Sequence, residues 1–154
     1  VYALTTDRRA GGEEPTASLT ALDSDSGARR WTRSIDGGSS SVVASRDDRA
    51  VVAGGDVIAF DAHSGEQRWR NDVFSGPPVI AGDRVYGRRT EGSFVDTVVA
   101  ADLETGERIA AHTFEHQLNR APIFADGRAV ARTLEYDRGR DGSEHVADRL
   151  HAMW

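Results

Sequence analysis

The sequence predicts an all-β fold, a β-propeller arc of four-stranded antiparallel blades. Three observations predict it. One motif recurs at spacings of 38 and 41 residues. Short runs rich in Val, Ile, Thr and aromatics fill each period, divided by Gly, Asp and Ser. No stretch sustains an apolar period of 3.6 over a helical length. Periods near 40 residues mark arrays of supersecondary units, and four short strands per period make a blade.

The motif is plainest in two places. Ala21-Leu22-Asp23 leads to Ser26-Gly27 and then Trp31, and Ala59-Phe60-Asp61 leads to Ser64-Gly65 and then Trp69. A third copy runs from Ala100-Ala101-Asp102 to Thr105-Gly106, with Ala110 where the Trp would stand. A fourth begins at Ala152, with Trp154 in the Asp position, after an interval stretched to 52 residues.

Between these landmarks the elements fall in order. Residues 1–23 hold two strands around the loop at 7–16. The first runs of the later periods are 41–45, 77–81 and 121–125. The second runs are 50–54, 85–89 and 129–134, and the third are 57–61, 97–102 and 149–153. The glycines at 27, 65 and 106 stand where a turn requires positive φ, and Asp with Ser or Thr can bond the turn's backbone amides. The turn is expected to carry the chain from the outer strand of one blade to the inner strand of the next. That places blades at 28–61, 66–102 and 107–154, with a partial blade at 1–23, in a single region spanning 1–154. Trp31 and Trp69 are expected to lie against the neighbouring blade and to donate the indole N–H to a backbone carbonyl.

The pattern Ala-x-Asp-x-x-(Ser/Thr)-Gly-x-x-x-Trp resembles the tryptophan-docking motif of PQQ-like β-propellers. That family includes quinoprotein alcohol dehydrogenases, BamB-type outer-membrane assembly factors and repeat domains fused to bacterial kinases. The resemblance covers nearly the whole chain. It implies a ring of about seven or eight blades, of which about 3.5 are present. An arc of that size leaves two sheet faces open. Either the remaining blades belong to a longer chain, or a homodimer closes a ring of seven. The Val1 start, inside a predicted strand, points to a processed product or part of something longer.

Composition narrows the function. The chain has no cysteine, which removes thiol chemistry and disulfides. Its net charge is −6, and every basic residue is Arg. That balance argues against a nucleic-acid binder, which needs a basic footprint. Arg29, Arg30, Arg68 and Arg70 flank the tryptophans and read as exposed partners for the surplus Asp. No apolar run approaches the roughly 20 residues of a membrane helix.

The candidate chemistry is thin. His112 and His116 match an H-x-x-E-H pattern with Glu115, but that motif needs a helix. On a strand the two rings stand about 13 Å apart, too far to share a zinc. Asp137, Asp141 and Glu144 lie in a Gly-containing segment that reads as an exposed loop rather than a calcium site. The quinoprotein resemblance implies a catalytic Asp, a calcium held by Glu and Asn, and often a vicinal Cys pair. Here Asn occurs only at positions 71 and 119. The segment at 37–41 lacks a nucleophile-elbow form. No catalytic, cofactor-binding or metal residues are assigned, and no cofactor.

The sequence therefore reads as a non-enzymatic scaffold that binds a protein or peptide at loop ends or exposed sheet edges. Its partners are a protein or the remaining blades. The resemblance implies an exported or envelope-associated location. The alternatives are a fragment of a PQQ-dependent oxidoreductase and the sensor domain of a larger receptor or kinase.

Overall fold

Strand burial depends on whether a blade has one neighbour or two. In the computed structural model, Thr16–Leu22 alternates, with Ala17, Leu19 and Ala21 buried and Ser18 and Thr20 half-buried. One face packs and the other does not, so the period of two is visible. Arg49–Ala53 is buried at every position because blades cover both its faces. The structure describes residues 1–7, 16–35, 42–91, 95–114, 118, 123–125, 128–138 and 144–153.

Fourteen strands and no helix are present among these residues. The first sheet contains β1 (Tyr2–Asp7), β2 (Thr16–Leu22) and β3 (Arg29–Ile35). The second contains β4 (Val42–Arg46), β5 (Arg49–Ala53), β6 (Val57–Asp61) and β7 (Gln67–Asn71). The third contains β8 (Val79–Ala81), β9 (Arg84–Glu91), β10 (Val95–Asp102) and β11 (Arg108–Phe114). The fourth contains β12 (Ile123–Ala125), β13 (Arg128–Arg138) and β14 (Glu144–Met153). Within each sheet, successive strands pair antiparallel.

This partition corrects the expected blade limits of 1–23, 28–61, 66–102 and 107–154. The Asp-to-Gly turn is a hairpin inside one sheet. The Asp61 N–H donates to Glu66 O at 2.8 Å, and the chain returns with Phe60 opposite Gln67 and Ala59 opposite Trp69. So short a turn reverses a strand onto its own neighbour and cannot cross to another sheet. The crossovers instead follow the strand after each turn, between β3 and β4, β7 and β8, and β11 and β12. The blades span 2–35, 42–71, 79–114 and 123–153, and hold three, four, four and three strands. A pair of chains would therefore bring eight sheets together, not seven.

The last hairpin also differs from expectation. Asp137 pairs with His145 and Arg138 with Glu144, so strands occupy both ends of the segment read as a loop. Residues 139–143 between them, and most of the loops at 7–16 and 37–41, lie outside the described residues.

Apolar clusters bind the blades face to face. Leu19, Trp31 and Ile35 meet Val52, Ile58 and Phe60 between blades one and two. Val51, Val57, Trp69 and Phe74 meet Val85, Val99 and Ala101 between blades two and three. Val98, Phe114, Leu118 and Ala131 join blades three and four. Burying such side chains contributes roughly 1.5–3 kcal/mol each before conformational entropy is subtracted.

Candidate functional site

Each Asp of the motif organises its own hairpin. Asp61 Oδ1 accepts the amides of His63 and Ser64 at 3.0 and 2.9 Å and the Ser64 hydroxyl at 3.1 Å. Asp23 does the same with Asp25 and Ser26, and Asp102 with Glu104 and Thr105. The glycine closes each turn at φ of 70° for Gly27 and Gly65 and 75° for Gly106, a region that disfavours a β-carbon. The second oxygen of the Asp takes an Arg seven residues on: Arg30 Nη2 donates to Asp23 at 2.5 Å and Arg68 Nη2 to Asp61 at 2.6 Å. The third motif has Ile109 there, and it is exposed.

These donors set the ionisation of the carboxyls. The Ser26 amide and Arg30 hold Asp23 well below the usual carboxylate range. The Arg68 guanidinium, then the Ser64 amide, do the same for Asp61. Asp102 is lowered as well, chiefly by the Thr105 amide. All three serve as hydrogen-bond acceptors fixed in turns.

The Trp of one blade lies on the turn of the next. Trp31 Nε1 donates to Ala62 O and Trp69 Nε1 to Leu103 O, both at 3.0 Å. The ring covers the glycine: a β-carbon at Gly65 would stand 2.5 Å from Trp31 Cδ2, and one at Gly106 2.6 Å from Trp69 Cδ2. Ala21 and Ala59 sit opposite the tryptophans in register, with side chains small enough to leave room for the indoles. A further link comes two residues after each Trp. Arg33 donates to Gly65 O at 2.7 Å and Ser64 O at 3.0 Å, and Asn71 donates to Gly106 O at 2.6 Å.

The third motif is different. Ala100 is buried and opposite Ala110. Blade four is held instead through Phe114, Leu118 and the buried Asp96, which accepts the Leu118 amide and the Thr90 hydroxyl, both at 2.8 Å. Sequence reasoning missed Asp96, Arg33 and the joint role of Asn71. It also missed Arg49, a buried cation that reaches Glu104 on the next blade's turn. The identical offset of Arg33 and Asn71 from their tryptophans is the one signal that could have found them.

The expected Arg–Asp pairs form at Arg30, Arg68 and Arg70, the last on Asp56 at 2.6 Å. His112 lies on β11, so no helix presents it as H-x-x-E-H requires; Glu115 and His116 lie outside the described residues. Among the described residues, no group of three or more His, Cys, Asp or Glu could hold a metal. Asn71 is engaged at a blade joint, donating to Gly106 O, and Asn119 lies outside the described residues. A hollow of about 240 Å³ is lined by Gly55, Asp72, Phe74, Ser75, Arg89 and Thr90. That is below the 300–1,000 Å³ of usual ligand pockets.

Four-stranded blades locked by a Trp on the following hairpin define a β-propeller repeat protein of the PQQ-like kind. The chain belongs to the family described as outer membrane protein assembly factor BamB, which matches residues 15–108. It is similar in structure to BamB from Moraxella catarrhalis, with a TM-score of 0.57 and 21% identity over 76% of this chain and 39% of that one. It is also similar to a europium-containing methanol dehydrogenase, with a TM-score of 0.51 and 20% identity over 64% of this chain and 21% of that one. The computationally designed Ika4 protein gives 0.57 and 16% identity over 86% of this chain and 83% of that one. Identities this low show a common fold. The chain spans 39% of the Moraxella protein's length and 21% of the dehydrogenase's. Among curated proteins none matches it.

Proposed function

We propose that the chain is a non-enzymatic propeller scaffold that binds a protein or peptide partner along the outer edge of β11. The observation that carries this is the contrast among the outer strands. An edge strand offers a row of backbone donors and acceptors to any passing strand, and charged side chains guard against it. β3 carries Arg29, Arg30 and Arg33, and β7 carries Arg68 and Arg70. β11 has Arg108 at its start and then Ile-Ala-Ala-His-Thr-Phe, with Ile109 47% exposed. Strand addition along such an edge gives affinity through the main chain and specificity through alternate side chains.

The family description, an outer membrane protein assembly factor, supports a protein partner and an envelope location. No described helix is long and apolar enough to cross a membrane. A net charge of −6 gives no footprint for nucleic acid.

The test places guards on the edge. Ile109→Lys with Ala111→Lys should leave folding intact, because both positions are exposed. It should reduce recovery of crosslinked partner from cells at least about tenfold, the equivalent of roughly 1.4 kcal/mol. Equal recovery with both proteins would reject the edge. Quinone-dependent oxidation of an alcohol by the purified chain would reject the scaffold reading itself.

A further inference from the structure

Blades two and three, both four-stranded, end level on one face of the arc and at different heights on the other. β5 and β6 pair over five residues, from Arg49 opposite Asp61 to Ala53 opposite Val57. β9 and β10 pair over eight, from Arg84 opposite Asp102 to Glu91 opposite Val95. Asp61 and Asp102 hold the same motif position, so β9–β10 overhangs its neighbour by three residue pairs, about 10 Å at strand rise. The strand inside it does not follow. β8 pairs only with Arg84, Val85 and Tyr86 of β9, whereas β4 pairs with β5 along the whole of Arg49–Ala53.

The overhanging stretch has a defined direction. The Arg88 carbonyl faces the β8 side, where it accepts the crossover amides of Ser75 and Gly76 at 3.1 and 2.9 Å. Main-chain direction alternates along a strand, so Thr90, two residues on, turns its N–H and C=O the same way. There β8 has ended, and the crossover's amides are spent one step earlier on Arg88. Thr90 is exposed, and its hydroxyl is committed within the sheet, donating to Asp96 at 2.8 Å. At the foot of the overhang lies the hollow of about 240 Å³, between Gly55 of the β5–β6 turn, Asp72 and Ser75 of the crossover, and Arg89 and Thr90.

We propose that this overhang is a second peptide-binding site, which takes an extended segment of a partner protein presenting Gln or Asn. One residue of the segment would pair with the Thr90 main chain, as in strand addition. Its neighbours would then project on the face that Arg89 shares with Val85, which packs into blade two, and so toward the hollow. The lining selects the side chain. Asp72 offers a carboxylate acceptor, and Arg89 a guanidinium that already gives one N–H to Asp72 O at 3.1 Å. A cation drawn to Asp72 meets Arg89, and an anion drawn to Arg89 meets Asp72. A neutral carboxamide, with donor and acceptor on one group, answers both. The hollow is small for a free ligand but has room for one side chain. The site is separated from the β11 edge by β10, and its failure would leave that reading standing.

The peptide acetyl-Thr-Gln-Val-Gln-Thr-amide is the probe. It is titrated to millimolar concentration into isotope-labelled protein, as its gene encodes it, and amide resonances are followed. The expected result is saturable shifts at Gly55, Asp72 and Thr90, with slowed solvent exchange of the Thr90 amide. Replacing both Gln of the peptide by Val, or Asp72→Ala in the protein, should weaken binding at least about tenfold. The peptide change leaves the protein untouched and so excludes misfolding as the cause. N-methylation of the peptide's central Val should abolish binding, because it removes the donor to Thr90 O. Equal binding of peptides with Glu or Arg in place of Gln would overturn the proposal. Shifts confined to residues 108–114 would place the peptide on the outer edge and overturn this site, and so would the absence of any change.

Discussion

Asp23, Gly27 and their two counterparts show how far a single residue can carry a fold. Gly27→Ala meets only the left-handed backbone penalty of about 1–2 kcal/mol. Gly65→Ala meets the same penalty and a ring 2.5 Å away. Overpacking of that kind costs roughly 1–3 kcal/mol more. Urea titration of the two variants should therefore rank Gly65→Ala well below Gly27→Ala, and equal losses would separate the glycine from the joint. The aspartates make an acid prediction. Their carboxyls are lowered in the folded state. The stability they contribute is present above the unfolded value of about 3.9 and is lost as pH falls through the folded values. Unfolding followed from pH 5 downward should show a steep loss of stability that Asp61→Asn makes shallower. The Asp, Gly and Trp positions were legible because they repeat as residue types. Arg33 and Asn71 were not, since two different side chains perform one task through the same kind of donated hydrogen bond.

At the scale of the element, strand runs were legible and their grouping was not. Val-, Ile- and Ala-rich runs marked β5, β6 and β10 because strands covered on both faces read as continuous apolar stretches. A motif that begins and ends in strands says nothing about whether its turn stays within one sheet. The register of Ala59 against Trp69, and of Ala21 against Trp31, shows that it does. The crossover from β7 to β8 also hides a packing element. Phe74 is 1% exposed and lies against Gly87 of β9, where a β-carbon would collide with its ring. Phe74→Ala should cost about 3–5 kcal/mol by differential scanning calorimetry or denaturant titration. A loss under about 1 kcal/mol would show that the crossover does not plug the seam between blades two and three.

Across the whole molecule, stability rests on seams between facing sheets, each closed by apolar side chains and one indole or its substitute. Blades one to three use Trp31 and Trp69, and the seam to blade four uses Phe114, Leu118 and Asp96. Repeat proteins of this type gain stability from neighbour contacts, so damage at one seam spreads to both blades it joins. The measurement that tests this most directly is the unfolding free energy of Trp69→Ala against the parent chain in urea. Loss of the buried ring and of its bond to Leu103 O predicts a decrease of roughly 3–5 kcal/mol. A decrease below about 0.5 kcal/mol would contradict the assignment of the repeated motif as the joint between blades.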